Sequence, residues 1–138
     1  RFQSSLLKAP IRCSPEQIHQ VLLNLIQNAF KALRKWDVSR GDPARGQVEK
    51  RVLVSLDAFE TDDLRSMIRV TVEDNGPGIP RENLEKIFIP FFTTDPSGSG
   101  LGLPICRKII QAHGGAIEVS SAPGVTTQFR IILPEAPE

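Results

Sequence analysis

Apolar residues recur every three or four positions from Ile18 to Trp36, with Ile18, Val21, Leu22, Leu25, Ala29, Leu33 and Trp36 forming one stripe. That spacing predicts an amphipathic helix with one face committed to a core. Its start is marked by Ser14-Pro15-Glu16-Gln17. Ser supplies the N-cap, Pro suits the first helical position, and Gln three residues after the cap can close a capping box. Beside the stripe, Asn24 and Asn28 stand four residues apart and Lys31 and Lys35 extend the row, so two amides and a lysine point the same way. Asn lowers helix propensity, so the pair inside a strong helix calls for a reason. A solvated polar face is one; a binding row is another.

The periodicity then changes. Val52, Val54 and Leu56 are followed, after an acidic turn at Glu60 to Asp63, by Met67, Ile68, Val70 and Val72, which predicts a hairpin. Residues 1–13 hold the run Ser5-Leu6-Leu7 and then Pro10-Ile11-Arg12-Cys13, read as a linker entering an edge strand. The polar stretch from Asp37 to Lys50 reads as a flexible loop whose basic residues are solvated. A short helix is expected over 81–88, then the aromatic cluster Phe88-Ile89-Pro90-Phe91-Phe92. Gly98, Gly100 and Gly102 mark a mobile loop over 93–102 that runs into a helix over 103–113, stopped by Gly114-Gly115. Strands over 116–120 and 127–133, joined by a turn at Ala122-Pro123-Gly124, close the chain before a tail. The whole predicts an α+β fold: a two-layer α/β sandwich with a mixed, mostly antiparallel sheet and helices on one face. The expected organisation is a linker and edge strand over 1–13, one domain over 14–134 and a tail over 135–138.

Composition narrows the function. Seventeen basic and sixteen acidic residues leave a net charge of +1, too little for an overall field that would draw nucleic acid or an anionic membrane. Cys13 and Cys106 lie far apart in apolar surroundings, which suits buried reduced thiols and a cytoplasmic setting. No apolar run is long enough to span a bilayer, and no signal-peptide pattern is present. The absence of a Met before Arg1 points to a piece of a longer protein.

Two stretches carry candidate chemistry. In Val-Glu-Asp-Asn-Gly-Pro-Gly-Ile-Pro, residues 72–80, Asp74 is delivered into a turn where Gly76 and Gly78 let a flat ligand approach the backbone. An ionised Asp accepts hydrogen bonds and so would select the exocyclic amine of adenine over a carbonyl; a plain hairpin turn is the alternative. Glycines 98, 100 and 102 before a helix could place backbone N–H groups and the positive end of the helix dipole on a phosphate, or could simply make a flexible loop.

Taken in order, Asn24-Leu25-Ile26-Gln27-Asn28-Ala29, Asp74-Asn75-Gly76-Pro77-Gly78, Phe88-Ile89-Pro90-Phe91-Phe92 and Gly98-Ser99-Gly100-Leu101-Gly102-Leu103 resemble the N, G1, F and G2 boxes of sensor histidine kinases, most nearly the nitrogen-regulation type. The resemblance covers 14–134 and implies the Bergerat ATP-binding fold shared with DNA gyrase, mismatch-repair ATPases and heat-shock chaperones. It implies that Asp74 accepts the adenine amine, Gly76 and Gly78 shape the purine pocket, Ile79 walls it and Thr127 backs Asp74. It further implies that Asn28 is a Mg²⁺ ligand, that Lys31 meets the phosphates and that Gly100, Leu101 and Gly102 cradle them. Asn24 stands where the hydrolytic relatives carry a glutamate base, and an amide cannot take that role. The implied cofactors are ATP and Mg²⁺, and the implied reaction is γ-phosphoryl transfer to a histidine. The implied partners are a dimerisation domain bearing that histidine and, indirectly, a response regulator, with no nucleic acid or membrane contact. His19, followed by Gln20, and His113, before Gly114-Gly115, read as structural or exposed and not as the acceptor. Ile89 and Asp95 depart from the common pattern, so a lid cation is missing unless Arg107 or Lys108 replaces it. An anti-sigma-factor-type serine kinase of the same fold and a nucleotide-free docking module are the alternatives.

Overall fold

A computed structural model describes residues 1–4, 8–36, 49–95, 98–122 and 126–137. The run Ser5 to Leu7, most of the 37–50 loop and the turn residues Pro123 and Gly124 lie outside the described residues. The elements are β1 (Phe2–Ser4), α1 (Pro15–Lys35), β2 (Val52–Glu60), β3 (Ser66–Asp74), α2 (Arg81–Leu84), α3 (Gly102–Ala112), β4 (Ala116–Ala122) and β5 (Thr126–Pro134). They build a five-stranded sheet in the order β1-β2-β3-β5-β4. β1 pairs with β2 in parallel, and the other neighbouring pairs are antiparallel. The mixed two-layer sandwich read from the sequence is the fold observed.

Ser14 caps α1 through its hydroxyl, which accepts from the Gln17 N–H at 3.4 Å. The other half of the expected capping box is replaced: the Ser14 N–H donates to His113 Nε2 at 3.0 Å. His113 Nδ1 sits 2.7 Å from the Ile109 carbonyl, so the ring donates there and accepts at Nε2. His113 thereby ties the end of α3 to the start of α1. His19 is exposed. At the far end of α1 the Lys50 ammonium donates to the Leu33 carbonyl, a cation at a helix C-terminus rather than the solvated loop charge expected.

Val21, Leu25, Ala29 and Leu33 are buried along α1, and the first three meet Cys106, Ile109 and Ile110 of α3 in one core over the sheet. The sheet's contribution comes from core-facing rows of period two. On β3 the row is Ile68, Val70, Val72; on β5 it is Leu133, Ile131, Phe129, paired across the strands as Ile68 with Leu133, Val70 with Ile131 and Val72 with Phe129. On β4 the half-buried row is Ile117 and Val119.

Three boundaries differ from the sequence reading. The edge strand is Phe2–Ser4, upstream of the Pro10 to Cys13 segment, because Arg1 and its neighbours pair with β2 while Pro10 cannot donate to a ladder. The second helix ends at Leu84 and gives way to tight turns, in which Lys86 N–H bonds the Asn83 carbonyl and Ile89 N–H the Lys86 carbonyl, before Pro90. The tail is tied down: Glu135 N–H bonds the Ser66 carbonyl, and Ala136 N–H the Pro10 carbonyl.

Candidate functional site

Each of the three core-facing rows ends in a polar side chain. β3 continues from Val72 to Asp74, β5 from Phe129 back to Thr127, and β4 from Val119 to Ser121. The register places the three side by side, Asp74 opposite Thr127 and Thr127 opposite Ser121. Asp74 is 5% exposed and Thr127 4%. Burial pushes the Asp74 carboxyl above its usual range; the Gly76 N–H, which donates to its Oδ1 at 3.0 Å, and the neighbouring Glu73 act as smaller influences of opposite sign. A core position is therefore given to a carboxylate that folding alone does not favour.

Gly76 is required by this close approach, since a Cβ there would stand 2.8 Å from Asp74 Oδ1. Asn75 anchors the same turn to the start of β2, its Oδ1 accepting from Arg51 N–H and its Nδ2 donating to the Glu49 carbonyl, both at 2.6 Å. Ile79 N–H donates to Ser121 Oγ at 2.8 Å, which fixes the chain just beyond Gly78.

A cavity of about 460 Å³ opens over Asp74 and Thr127. Its walls bring together Asn24, Asn28 and Lys31 of α1, Gly78 and Ile79 of the turn, and Gly100 and Gly102 before α3. Asn28 and Lys31 have no hydrogen-bond or ion-pair partner among the described residues, so their polar ends are available to a ligand. Asn24 differs: its Nδ2 donates to the buried Cys106 thiol at 3.6 Å, and that thiol lies 3.9 Å from the Val21 carbonyl. Burial pushes the Cys106 pKa up, so the sulfur keeps its proton. Cys13 and Cys106 are both free thiols.

Two candidate positions stand apart from the rest. Gly76 lies behind Asp74 and acts through it. Leu101 does not line the cavity, and its N–H, which the resemblance implied meets a phosphate, donates here to Ser99 Oγ at 3.3 Å. Gly100 faces the cavity with φ +72, its position set by Phe91: a Cβ on Gly100 would meet the Phe91 backbone at 2.5 Å, and the Phe91 N–H bonds its carbonyl at 3.0 Å. Gly102 opens α3, where a Cβ would meet nothing within 4 Å and no side chain caps the first turn. Those uncapped N–H groups and the helix dipole suit an anion.

Arg107 stacks on the Phe88 ring, and neither it nor Lys108 lines the cavity. Lys35 does, and it pairs with Asp95 at 2.7 Å, so Asp95 turns toward a cation. Ser121, Asn83, Phe92 and Lys35 are not singled out as site residues by the sequence, though all but Ser121 line the cavity. A signal for Ser121 exists, a polar residue in the core-facing register of its strand.

A buried acceptor at one end, an oxygen-bearing amide row along one wall and an uncapped helix start at the other define a cleft for a nucleotide-like ligand in a two-layer α/β domain. Comparison with known proteins gives the class a family. The model for "Histidine kinase-, DNA gyrase B-, and HSP90-like ATPase" matches residues 13–137, and the chain belongs to that family. Over 130 residues, 94% of the chain, it is 39% identical to the signal transduction histidine-protein kinase AtoS of Escherichia coli K12. Over 121 residues, 87% of the chain, it is 40% identical to the sensory histidine kinase/phosphatase NtrB of Salmonella typhimurium. The chain spans 19% and 32% of the lengths of these two relatives. The catalytic domain of histidine kinase ThkA superposes with a TM-score of 0.75 at 34% identity, over 99% of this chain and 79% of that one.

Proposed function

We propose that this chain is the ATP-binding catalytic domain, spanning 14–134, of a two-component sensor histidine kinase. It binds Mg-ATP and donates the γ-phosphoryl to a histidine on a dimerisation domain outside this chain, from which a response regulator is served. The observation that carries the reading is that Asp74 and Asn28, from a strand end and a helix far apart in the chain, line one cavity.

In this reading Asp74 accepts the adenine amine with the carboxylate oxygen that Gly76 leaves unused. Ile79 and Gly78 bound the purine, and Thr127 supports Asp74 from the facing strand. Asn28 offers a neutral oxygen to Mg²⁺, a hard cation that prefers such ligands; when bound, that ion neutralises charge on the phosphate chain. Lys31, one turn on, meets the phosphates together with the backbone at Gly100 and Gly102. Asn24 cannot act as a base toward water, so hydrolysis without an acceptor is slow. No step of this reading calls on a membrane, and among the described residues no helix is long and apolar enough to cross one. A cytoplasmic setting follows from the proposed chemistry, which consumes ATP.

The test is calorimetry with Mg-ATP and Mg-GTP, followed by phosphate transfer to a purified acceptor-helix domain. Saturable binding of ATP well above GTP, with transfer to that histidine, is expected. Equal binding of the two, or none, overturns the reading.

A further inference from the structure

We propose that Ser121 is a positioning residue that sets the hydrogen-bond polarity of Thr127 and so favours an aminopurine over an oxopurine. The inference rests on the nucleotide reading above and extends it to a residue with no part in that reading. Ser121 Oγ accepts the Ile79 N–H at 2.8 Å, and lies 3.1 Å from the Thr126 carbonyl and 3.0 Å from Thr127 Oγ1. A hydroxyl has one proton, so Ser121 can donate to one of these two oxygens at a time.

The choice decides what Thr127 shows the cavity. With the Ser121 proton on the Thr126 carbonyl, the Thr127 proton is drawn back to Ser121, and Thr127 presents lone pairs. With the Ser121 proton on Thr127 Oγ1, the Thr127 proton is released toward the cavity that it lines beside Asp74. A bound aminopurine selects the second state, in which Thr127 offers a donor beside the Asp74 acceptor. That pair matches an aminopurine edge, which offers an amine donor and a ring-nitrogen acceptor. An oxopurine offers a carbonyl and a ring N–H in the reverse sense, which the pair rejects.

Removing the Ser121 hydroxyl frees Thr127 to turn either way and leaves the Ile79 N–H without its acceptor. The first effect acts on the choice between purines, the second slackens the wall for both alike, and neither reaches the metal and phosphate end. Ser121→Ala in the full chain is expected to weaken Mg-ATP binding by about five- to tenfold and to leave Mg-inosine triphosphate within about twofold. The ratio of the two affinities therefore narrows. Ser121→Thr, which restores a hydroxyl, restores the ratio, and in a Thr127→Val background Ser121→Ala no longer changes it. Calorimetry reads both nucleotides, and the unfolding midpoint shows that each variant is folded. Where the alanine variant does not fold, Ser121→Cys, a weak donor of similar shape, carries the same test. An unchanged ratio, or an equal loss for both nucleotides, overturns the proposal. Failure of the unaltered chain to bind Mg-ATP overturns the nucleotide reading instead.

Discussion

The Asn24 amide donates to the Cys106 thiol across the interface of α1 and α3. Because the thiol's own proton points to the Val21 carbonyl, the sulfur receives, the Asn24 nitrogen is held on the α3 side, and its oxygen is left for the cavity. Cys106→Val keeps the apolar volume and deletes the acceptor. Its unfolding midpoint is expected to stay near that of the unaltered chain, while Mg-ATP affinity falls by about three- to tenfold in calorimetry. Unchanged affinity would show that Asn24 needs no fixing.

Asp74 couples stability to binding in opposite directions. Its carboxyl is raised mainly by burial, so the ionised form works against folding; the penalty is absent below the unfolded value and complete above the folded one. Asp74→Asn is therefore expected to raise the urea midpoint at neutral pH, with the gain vanishing below about pH 4. The same change sets a donor where an acceptor is needed and should weaken Mg-ATP by about 100-fold. A loss of stability together with binding would show that the residue serves the fold.

In the unaltered chain the raised carboxyl gives nucleotide affinity a pH dependence. Protonation removes an acceptor, so affinity is expected to fall as pH drops toward the acid range, beginning above the ordinary carboxylate value. Titrating Mg-ATP binding from about pH 8 to about pH 5 in the unaltered chain and in the Asp74→Asn variant checks this, since the variant should show a flatter profile.

Asn28→Ala removes the unpartnered oxygen offered to the cation. Affinity for Mg-ATP is expected to fall about tenfold or more, with a smaller change for ATP in excess chelator. If the two fall equally, Asn28 holds the nucleotide and not the metal.

The Lys35 to Asp95 pair is half exposed on the lysine side, so its contribution to folding is small, about 1 kcal/mol at most. Asp95→Ala releases the Lys35 cation to the cavity and removes a like charge from the phosphates. Mg-ATP should bind about two- to fivefold tighter at low ionic strength, and the difference should shrink in high salt, as binding at two salt concentrations will show.

Much of this was legible in the chain. The helical stripe from Ile18 to Leu33, the two hairpins and the order of Asn28, Asp74 and Gly100 are local patterns; the first two give the fold class, and the fold brings the three residues to one cavity. What the pattern could not give was pairing. Nothing near Ser14 announces that its N–H will meet His113, or that Asn24 will meet Cys106, because these contacts join residues far apart along the chain. The length of α2 failed for a similar reason: the 85–88 stretch has helical composition, but Ile87 must be buried and Pro90 follows, which favours turns. Leu101 was assigned by motif position alone, and the neighbouring Ser99 hydroxyl claims its N–H.

The imidazole that joins Ser14 to the end of α3 lies at the opposite end of that helix from Gly102 and Pro104. The two helices are thus pinned together like the closed end of tongs, with the ligand cleft between their open ends. A widening at Gly102 by rigid movement of the two helices would have to pivot on, or break, that clasp at the far end of α3.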